Sequence, residues 1–250
     1  MTQEPDWIIR PEHFVRYMLE ANGRAADELR VPPKSILVFG NQDFRLFARL
    51  LHARIVHWND GYAFGRVGRA RISVVRTTIG APAAVLNFEE AVALGVRQVL
   101  AFGSCGSLRT DLPLGSVVLP THAYSEEGTS PHYGGKRWAM PNARLLRSLR
   151  AAVARHRINV RIGRTWTTDA PYRESRAKVR SLLRRGVVCV DMEASALFQV
   201  ARVRRVGIAS LFVVSDELAG PKWNAGFSDP RFIAAKRRAA QVVVDAIGRL

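Results

Sequence analysis

Short apolar runs rich in Val, Ile and Leu alternate along this chain with longer stretches whose apolar residues recur at helical spacing. That alternation restricts the fold more than any other feature. Strands are predicted at 35–39 (SILVF), 71–76 (RISVVR), 97–102 (RQVLAF), 115–120 (GSVVLP), 160–168 (VRIGRTWTT), 186–191 (GVVCVD) and 207–215 (GIASLFVVS). Helices are predicted at 43–52, 82–94, 142–156, 173–184, 193–204 and 229–248, with a further helical run at 11–21. Strands separated by helices build one sheet whose faces the helices cover. The expected class is therefore α/β: a single domain with a mixed central β-sheet flanked by helices. The 250 residues, 48% of them apolar, suffice for one such core. Residues 1–34 read as an N-terminal extension packing on the core, and 35–250 as the domain itself. Ligands in such folds sit beyond the carboxyl ends of strands, so the chemistry is expected there.

The net charge of +17 raises a nucleic-acid reading, which the distribution of charge weakens. Lysine stands only at 34, 136, 178, 222 and 236, and the arginines are scattered over predicted helices, for example at 144, 147 and 150. No aromatic residues interleave with them as base stacking requires. No specific nucleic acid is expected as a partner, and an anionic small substrate suits the charge. No apolar run reaches the roughly 18 residues of a membrane span. The N-terminal stretch MTQEPDWIIRPEH has no basic start followed by an apolar run, so no secretory signal is visible. Cys105 and Cys189 sit in apolar surroundings, which suits reduced, buried thiols and a cytoplasmic location. His13, His52, His57, His122, His132 and His156 show no metal-ligand spacing, so no metal is expected.

Chemistry gathers at three predicted strand ends. The strand at 97–102 runs into GSCGSL (103–108), where Gly103 and Ser104 can present N–H groups and a hydroxyl to an anion, or form a plain tight turn. The strand at 186–191 delivers Asp191, Met192 and Glu193. A carboxylate there accepts from two neighbouring hydroxyls, as on a ribose; equally, Glu193 suits a helix start by charge. The strand at 207–215 ends in Ser215-Asp216-Glu217, and Asp216 follows Glu193 by 23 residues, room for a helix and a returning strand. Parallel neighbours would put both acids at one sheet edge, where a partly desolvated Asp216 can act as a general acid. Trp166, Tyr172 and Trp223 lie near in sequence. Together these features suggest a nucleoside site.

The segments GAPAAV (80–85), FGSCGSL (102–108), LPLGSVVLP (112–120), WTTDAPY (166–172), VDMEASALF (190–198) and FVVSDEL (212–218) resemble, in order and spacing, the hexameric nucleoside phosphorylases. That family includes purine nucleoside phosphorylase, uridine phosphorylase and nucleosidases, and the resemblance spans roughly residues 35 to 248. It implies a nucleoside phosphorylase-like fold and a pentosyltransferase that uses phosphate as co-substrate, with no organic cofactor. It implies a homo-oligomer, a hexamer or a dimer. Glu193 would bind the ribose hydroxyls, Met192 would pack on the sugar and Asp191 would support them. Ser104, Gly103, Gly40 and Arg45 would hold phosphate. Tyr172, Trp166 and Ser215 would contact the base, and Asp216 would protonate purine N7.

Three departures stand against that pattern. Ala101 occupies the place of a phosphate-binding arginine, and Asp60 stands where many members send an arginine to a neighbouring subunit. In the early loop FGNQDFR (39–45), Arg45 comes one residue late. Arg45 or Arg76 would have to replace the lost charge. A nucleoside hydrolase using water is therefore a competing expectation, and uridine phosphorolysis another, with Arg173 available to a pyrimidine carbonyl. A non-catalytic nucleoside-binding protein is a third, and the joint presence of Glu193 and Asp216 argues against it.

Overall fold

The alternating runs fold as layers in the computed structural model, which describes residues 7–25, 31–56, 59 and 61–250. Asp60 and His57 lie outside the described residues, as do 1–6 and 26–30 of the expected N-terminal extension. In chain order the first elements are α1 (Pro11–Ala21), β1 (Lys34–Phe39), α2 (Asn41–Leu50), β2 (Arg54–Ile55), β3 (Tyr62–Val67), β4 (Ala70–Thr77) and α3 (Ala81–Ala93). Next come β5 (Gln98–Ser107), β6 (Val117–Ser125), β7 (Trp138–Ala139), α4 (Ala143–Arg155) and β8 (Val160–Thr167). The last are α5 (Arg176–Leu183), β9 (Val187–Asp191), α6 (Ala194–Arg204), β10 (Gly207–Glu217), β11 (Asn224–Ala225) and α7 (Pro230–Gly248).

The strands form one mixed sheet in the order β11-β10-β6-β8-β9-β5-β1-β4-β3-β2, with β7 on β6. β5 also pairs with β10, in parallel, so β10, β6, β8, β9 and β5 close into a ring. β5 is the hub: it runs parallel to β1 on one side and to β10 on the other, and its end meets β9 antiparallel. A strand buried on both faces reads as a continuous apolar run, which is the pattern of 99–102.

Alternate side chains of β5 enter different cores, as the two-residue period of a strand requires. Val99, Ala101 and Cys105 pack with Ala84, Val85 and Phe88 of α3 and Leu197 and Phe198 of α6. Leu100 and Phe102 pack on the other face with Phe44 and Phe47 of α2, Leu149 of α4 and Phe232 and Val243 of α7. Phe47 meets Phe102 edge-on at 5.1 Å between ring centroids. Burying one such side chain contributes about 1.5–3 kcal/mol. A third, smaller cluster joins Trp166 to Val179 and Leu182 of α5. α1 lies against α3, with Leu19 buried.

Two expectations about the strands change. GSCGS is not a turn beyond a strand: β5 continues through it to Ser107, because β10 pairs along its whole length. β9 and β10 are not parallel neighbours either, since the end of β5 stands between them, with Gly106 opposite both Val190 and Asp216.

Candidate active site

The turn from β9 into α6 is built around Asp191. Its carboxylate is fully buried and accepts four hydrogen bonds: from Thr165 Oγ1 and Thr167 Oγ1, each at 2.9 Å, and from the backbone N–H groups of Glu193 at 2.9 Å and Ala194 at 2.6 Å. Burial pushes its pKa up against the pull of those donors. With its oxygens so committed, Asp191 holds the turn and presents none of them to a sugar. It satisfies the first amides of α6, the task the sequence also allowed for Glu193.

Glu193 is thereby left for other work. It sits at the N-cap of α6 with no side-chain capping bond. Its Oε1 instead accepts the Gly80 N–H at 2.7 Å across the sheet. Gly80 precedes α3 with φ +106°, a conformation that favours glycine, and this turns its amide toward the acid. Burial and the charge of Asp191 push the Glu193 carboxyl up to about 8. The half-buried Met192 lies beside it. A carboxylate buried in this way can accept from a pair of neighbouring hydroxyls.

Asp216 stands at the end of β10 and is held from two sides. Ser215 Oγ donates to its Oδ1 at 2.7 Å, and the indole Nε1 of Trp223 donates to its Oδ2 at 2.9 Å. Ser215 is buried, and its Oγ lies within reach of both this acid and the Cys105 carbonyl oxygen, which ties Asp216 to β5. The guanidinium of Arg176 donates to the carbonyl oxygens of Gly220 and Pro221, tying the start of α5 to the loop that carries Trp223. Glu174, on that same stretch, is half-buried, and burial plus the charge of Asp216 push it up to about 7. Sequence reasoning did not single out Glu174. Its signal was faint: one acid between Arg173 and Arg176 reads as a solvated charge.

Of the residues expected to hold phosphate, Gly40, Gly103 and Ser104 come together near the end of β1. Gly40 caps α2 with φ +112°, and the Phe39 ring fills the space over Gly103, where a Cβ would come within 2.9 Å of it. Ser104 faces the same side as Phe102. Arg45 does not join them: it lies on the exposed face of α2 while Phe44 and Phe47 of that helix are buried. Ala101 packs in the core of the opposite face. Arg76, at the end of β4, does reach the corner, where its guanidinium donates to Asn41 and lies 5.7 Å from the centre of the Phe44 ring. A second cation there is Lys236 of α7, whose Nζ donates to Asp43 Oδ2 at 2.5 Å and to Ser104 Oγ at 3.3 Å. The sequence carried a signal for it, because Lys236 interrupts the apolar face of α7 formed by Phe232, Ala235, Ala239 and Val243.

The expected base contacts fare differently. Trp166 is 2% exposed and packs with Tyr124, Val179 and Leu182 inside the third cluster, so it is core and not a base platform. Tyr172 is 99% exposed, on a 3₁₀ turn at Pro171–Arg173. An open depression of about 600 Å³ lined by Lys34, Gly68, Arg69 and Asp245 lies where β1 begins, at the opposite end of the sheet from these acids. Among the described residues no three His, Cys, Asp or Glu side chains converge as a metal set requires, and no helix is long and apolar enough to cross a membrane.

Comparison with known proteins bears on this arrangement. The family model of the phosphorylase superfamily matches residues 43–248. The chain belongs to the phosphorylase superfamily. As a member it is an enzyme, of the pentosyltransferase class of its named relatives. It is 30% identical over 184 residues to a guanosine phosphorylase of Halorubrum lacusprofundi, covering 72% of this chain and 76% of the relative. It is also 30% identical over 153 residues to a purine nucleoside phosphorylase of Bacillus cereus, covering 59% of this chain and 64% of that relative, somewhat under two thirds of its length. The fold matches a purine nucleoside phosphorylase of Toxoplasma gondii, solved with immucillin-H, with a TM-score of 0.80 at 19% identity over 88% of this chain and 92% of that one. It matches a uridine phosphorylase of Vibrio fischeri with a TM-score of 0.78 at 21% identity over 90% and 95%. The superfamily member thus has the α/β fold expected from its sequence.

Proposed function

We propose that this superfamily member cleaves the N-glycosidic bond of a purine nucleoside with phosphate, releasing the free base and ribose 1-phosphate. The observation that carries the reading is Asp216, fixed by Ser215 and Trp223 at the end of β10 and set against Glu174. In the reaction a phosphate oxygen forms a bond to C1′ as the C1′–N9 bond breaks. The bonding pair passes to the purine, and N7 takes a proton from the Asp216 carboxyl. Positive charge grows on the sugar, and Glu193 holds the hydroxyls that orient it; an anion beneath the ring stabilises that charge. A positioned acid of this kind contributes about 10²–10⁴-fold.

The names of the two relatives at 30% identity, guanosine and purine nucleoside phosphorylases, support the purine preference. Phosphate is the co-substrate in this reading, with no other cofactor. It also carries a homo-oligomer, a hexamer or a dimer, and a cytoplasmic setting. The exposed apolar side chains Trp7, Ile8, Ile9, Phe14 and Tyr17 support the first, and the free, buried Cys105 and Cys189 the second.

One observation favours a second reading, hydrolysis: Ala101 is buried in the core and Arg45 points to solvent, so two expected phosphate contacts are missing. Product analysis with guanosine, inosine, adenosine and uridine, each with and without phosphate, separates the two. Ribose 1-phosphate, formed from the purine nucleosides and only with phosphate, is the expected result. Free ribose at a phosphate-independent rate establishes the hydrolase instead.

A further inference from the structure

Three elements bring one buried cation to the corner near the end of β1. Lys236 comes from α7, Asp43 from the first turn of α2 and Ser104 from β5, and the two charged side chains are only 12% and 7% exposed. The Lys236 ammonium also lies 5.2 Å from the centre of the Phe102 ring and 5.5 Å from that of Phe232, so apolar surface surrounds the pair. We propose that Lys236 binds the phosphate of this site, supplying from the C-terminal helix the charge that position 101 lacks, and that Asp43 competes with phosphate for it. The inference rests on the phosphorolytic reading above.

The hydrogen-bond inventory supports it. An ammonium has three donors and no acceptor. One goes to Asp43 and one to Ser104 Oγ, which leaves a third. Because Ser104 accepts from Lys236, its own O–H proton is turned elsewhere and is available to an anion. A phosphate oxygen beside Ser104 would therefore meet a hydroxyl donor and an ammonium donor together, both strengthened by the low-polarity surroundings. A purely structural ion pair between α2 and α7 would have no use for the β5 hydroxyl. Apolar residues of similar volume usually replace such a pair without loss. Asp43 has a further role here. It keeps the buried cation neutralised while the site is empty, and because it is held on the same ammonium it weakens phosphate binding.

The test uses the full chain with inorganic phosphate as the probe, read by calorimetric binding and by the phosphate KM with guanosine. Asp43→Asn removes the competitor and is expected to tighten phosphate binding and lower its KM several-fold. The neutral double variant Lys236→Met with Asp43→Asn keeps volume and leaves no buried lone charge. It is expected to raise the phosphate KM by at least about tenfold, the loss of one charge-assisted bond, and to move the nucleoside KM much less. A weaker or unchanged phosphate affinity in Asp43→Asn overturns the proposal, and this single variant decides the matter even where the double variant fails to fold. An unchanged phosphate KM in the folded double variant overturns it too. Wild-type turnover that ignores phosphate overturns the phosphorolytic reading itself, and this inference with it. Phosphate-dependent wild-type turnover with indifferent variants removes only the role of Lys236.

Discussion

At the residue scale, the site depends on two pairs of carboxylates that are managed differently. Asp191 is saturated by four donors, which frees Glu193; Asp216 is held by two donors but faces Glu174. Two acids that repel each other hold one proton between them to higher pH than either would alone. Burial and the charge of Asp216 push Glu174 up to about 7, so Glu174 holds its proton toward neutrality beside the acid proposed to serve N7. Asp216→Asn is therefore expected to lower kcat for guanosine at least about a hundredfold while leaving its binding largely intact. In the wild type kcat/KM for a purine nucleoside is expected to fall as pH rises through the region of 7. In Glu174→Gln the carboxyl pushed up to about 7 is gone, and this limb is expected to leave the region of 7. A pH profile unmoved by Glu174→Gln would remove Glu174 from the proton inventory.

At the element scale, the helix start at 194 depends on a strand two places away in the chain. Thr165 and Thr167 of β8 hold Asp191, and Thr167 Oγ1 in turn accepts the Ser195 N–H at 3.0 Å. Asp191→Ala strips four donors of their acceptor in a buried place. A loss of about 3 kcal/mol or more is expected in denaturant unfolding, with the turn that carries Glu193 loosened as a consequence. Local pattern could place the main strands and helices because their periods are set by burial, and it found the turn at 191–193 by its paired acids. It could not place what tertiary packing decides. Gly103 and Gly106 look like turn residues, yet both lie inside β5. A Cβ on Gly106 would come within 2.6 Å of Leu218 Cδ1 and 3.0 Å of Asp216 Oδ2, so glycine there makes room for the acid. Trp166 looked like a base platform because an aromatic beside a motif carries no mark of which sheet face it takes. Lys236 interrupts the apolar face of α7, but its role is hidden in the sequence because its partners Asp43 and Ser104 lie 193 and 132 residues away.

At the scale of the whole molecule, these buried acids set how stability responds to pH, and two groups pull in opposite directions. Glu127 anchors the loop after β6 by accepting from Ser125, Ser195 and the amides of Thr129 and Ser130, and it is held below the usual range despite its burial. A lowered carboxylate stabilises the fold above its unfolded pKa, and that contribution is lost as pH falls through the folded value. Glu193 has the reverse sign. Folding raises it from 4.5 to about 8, so between those values the folded chain holds a proton that the unfolded chain has released. Stability therefore declines as pH climbs across that window, and above about 8 the full cost of a buried charge, on the order of several kcal/mol, is present. Thermal unfolding of the unliganded enzyme is expected to show Tm falling from pH 5 toward pH 8.5, roughly the span set by those pKa values. Glu193→Gln should flatten that slope and be the more stable protein at the alkaline end, while losing nucleoside affinity and turnover. In the proposed role of Glu193, a nucleoside restores part of the wild-type Tm at high pH, because its hydroxyls donate to the ionised carboxylate. The same slope in Glu193→Gln as in the wild type would mean that another acid carries the pH dependence, and would remove the raised Glu193 carboxyl from the proposed sugar site.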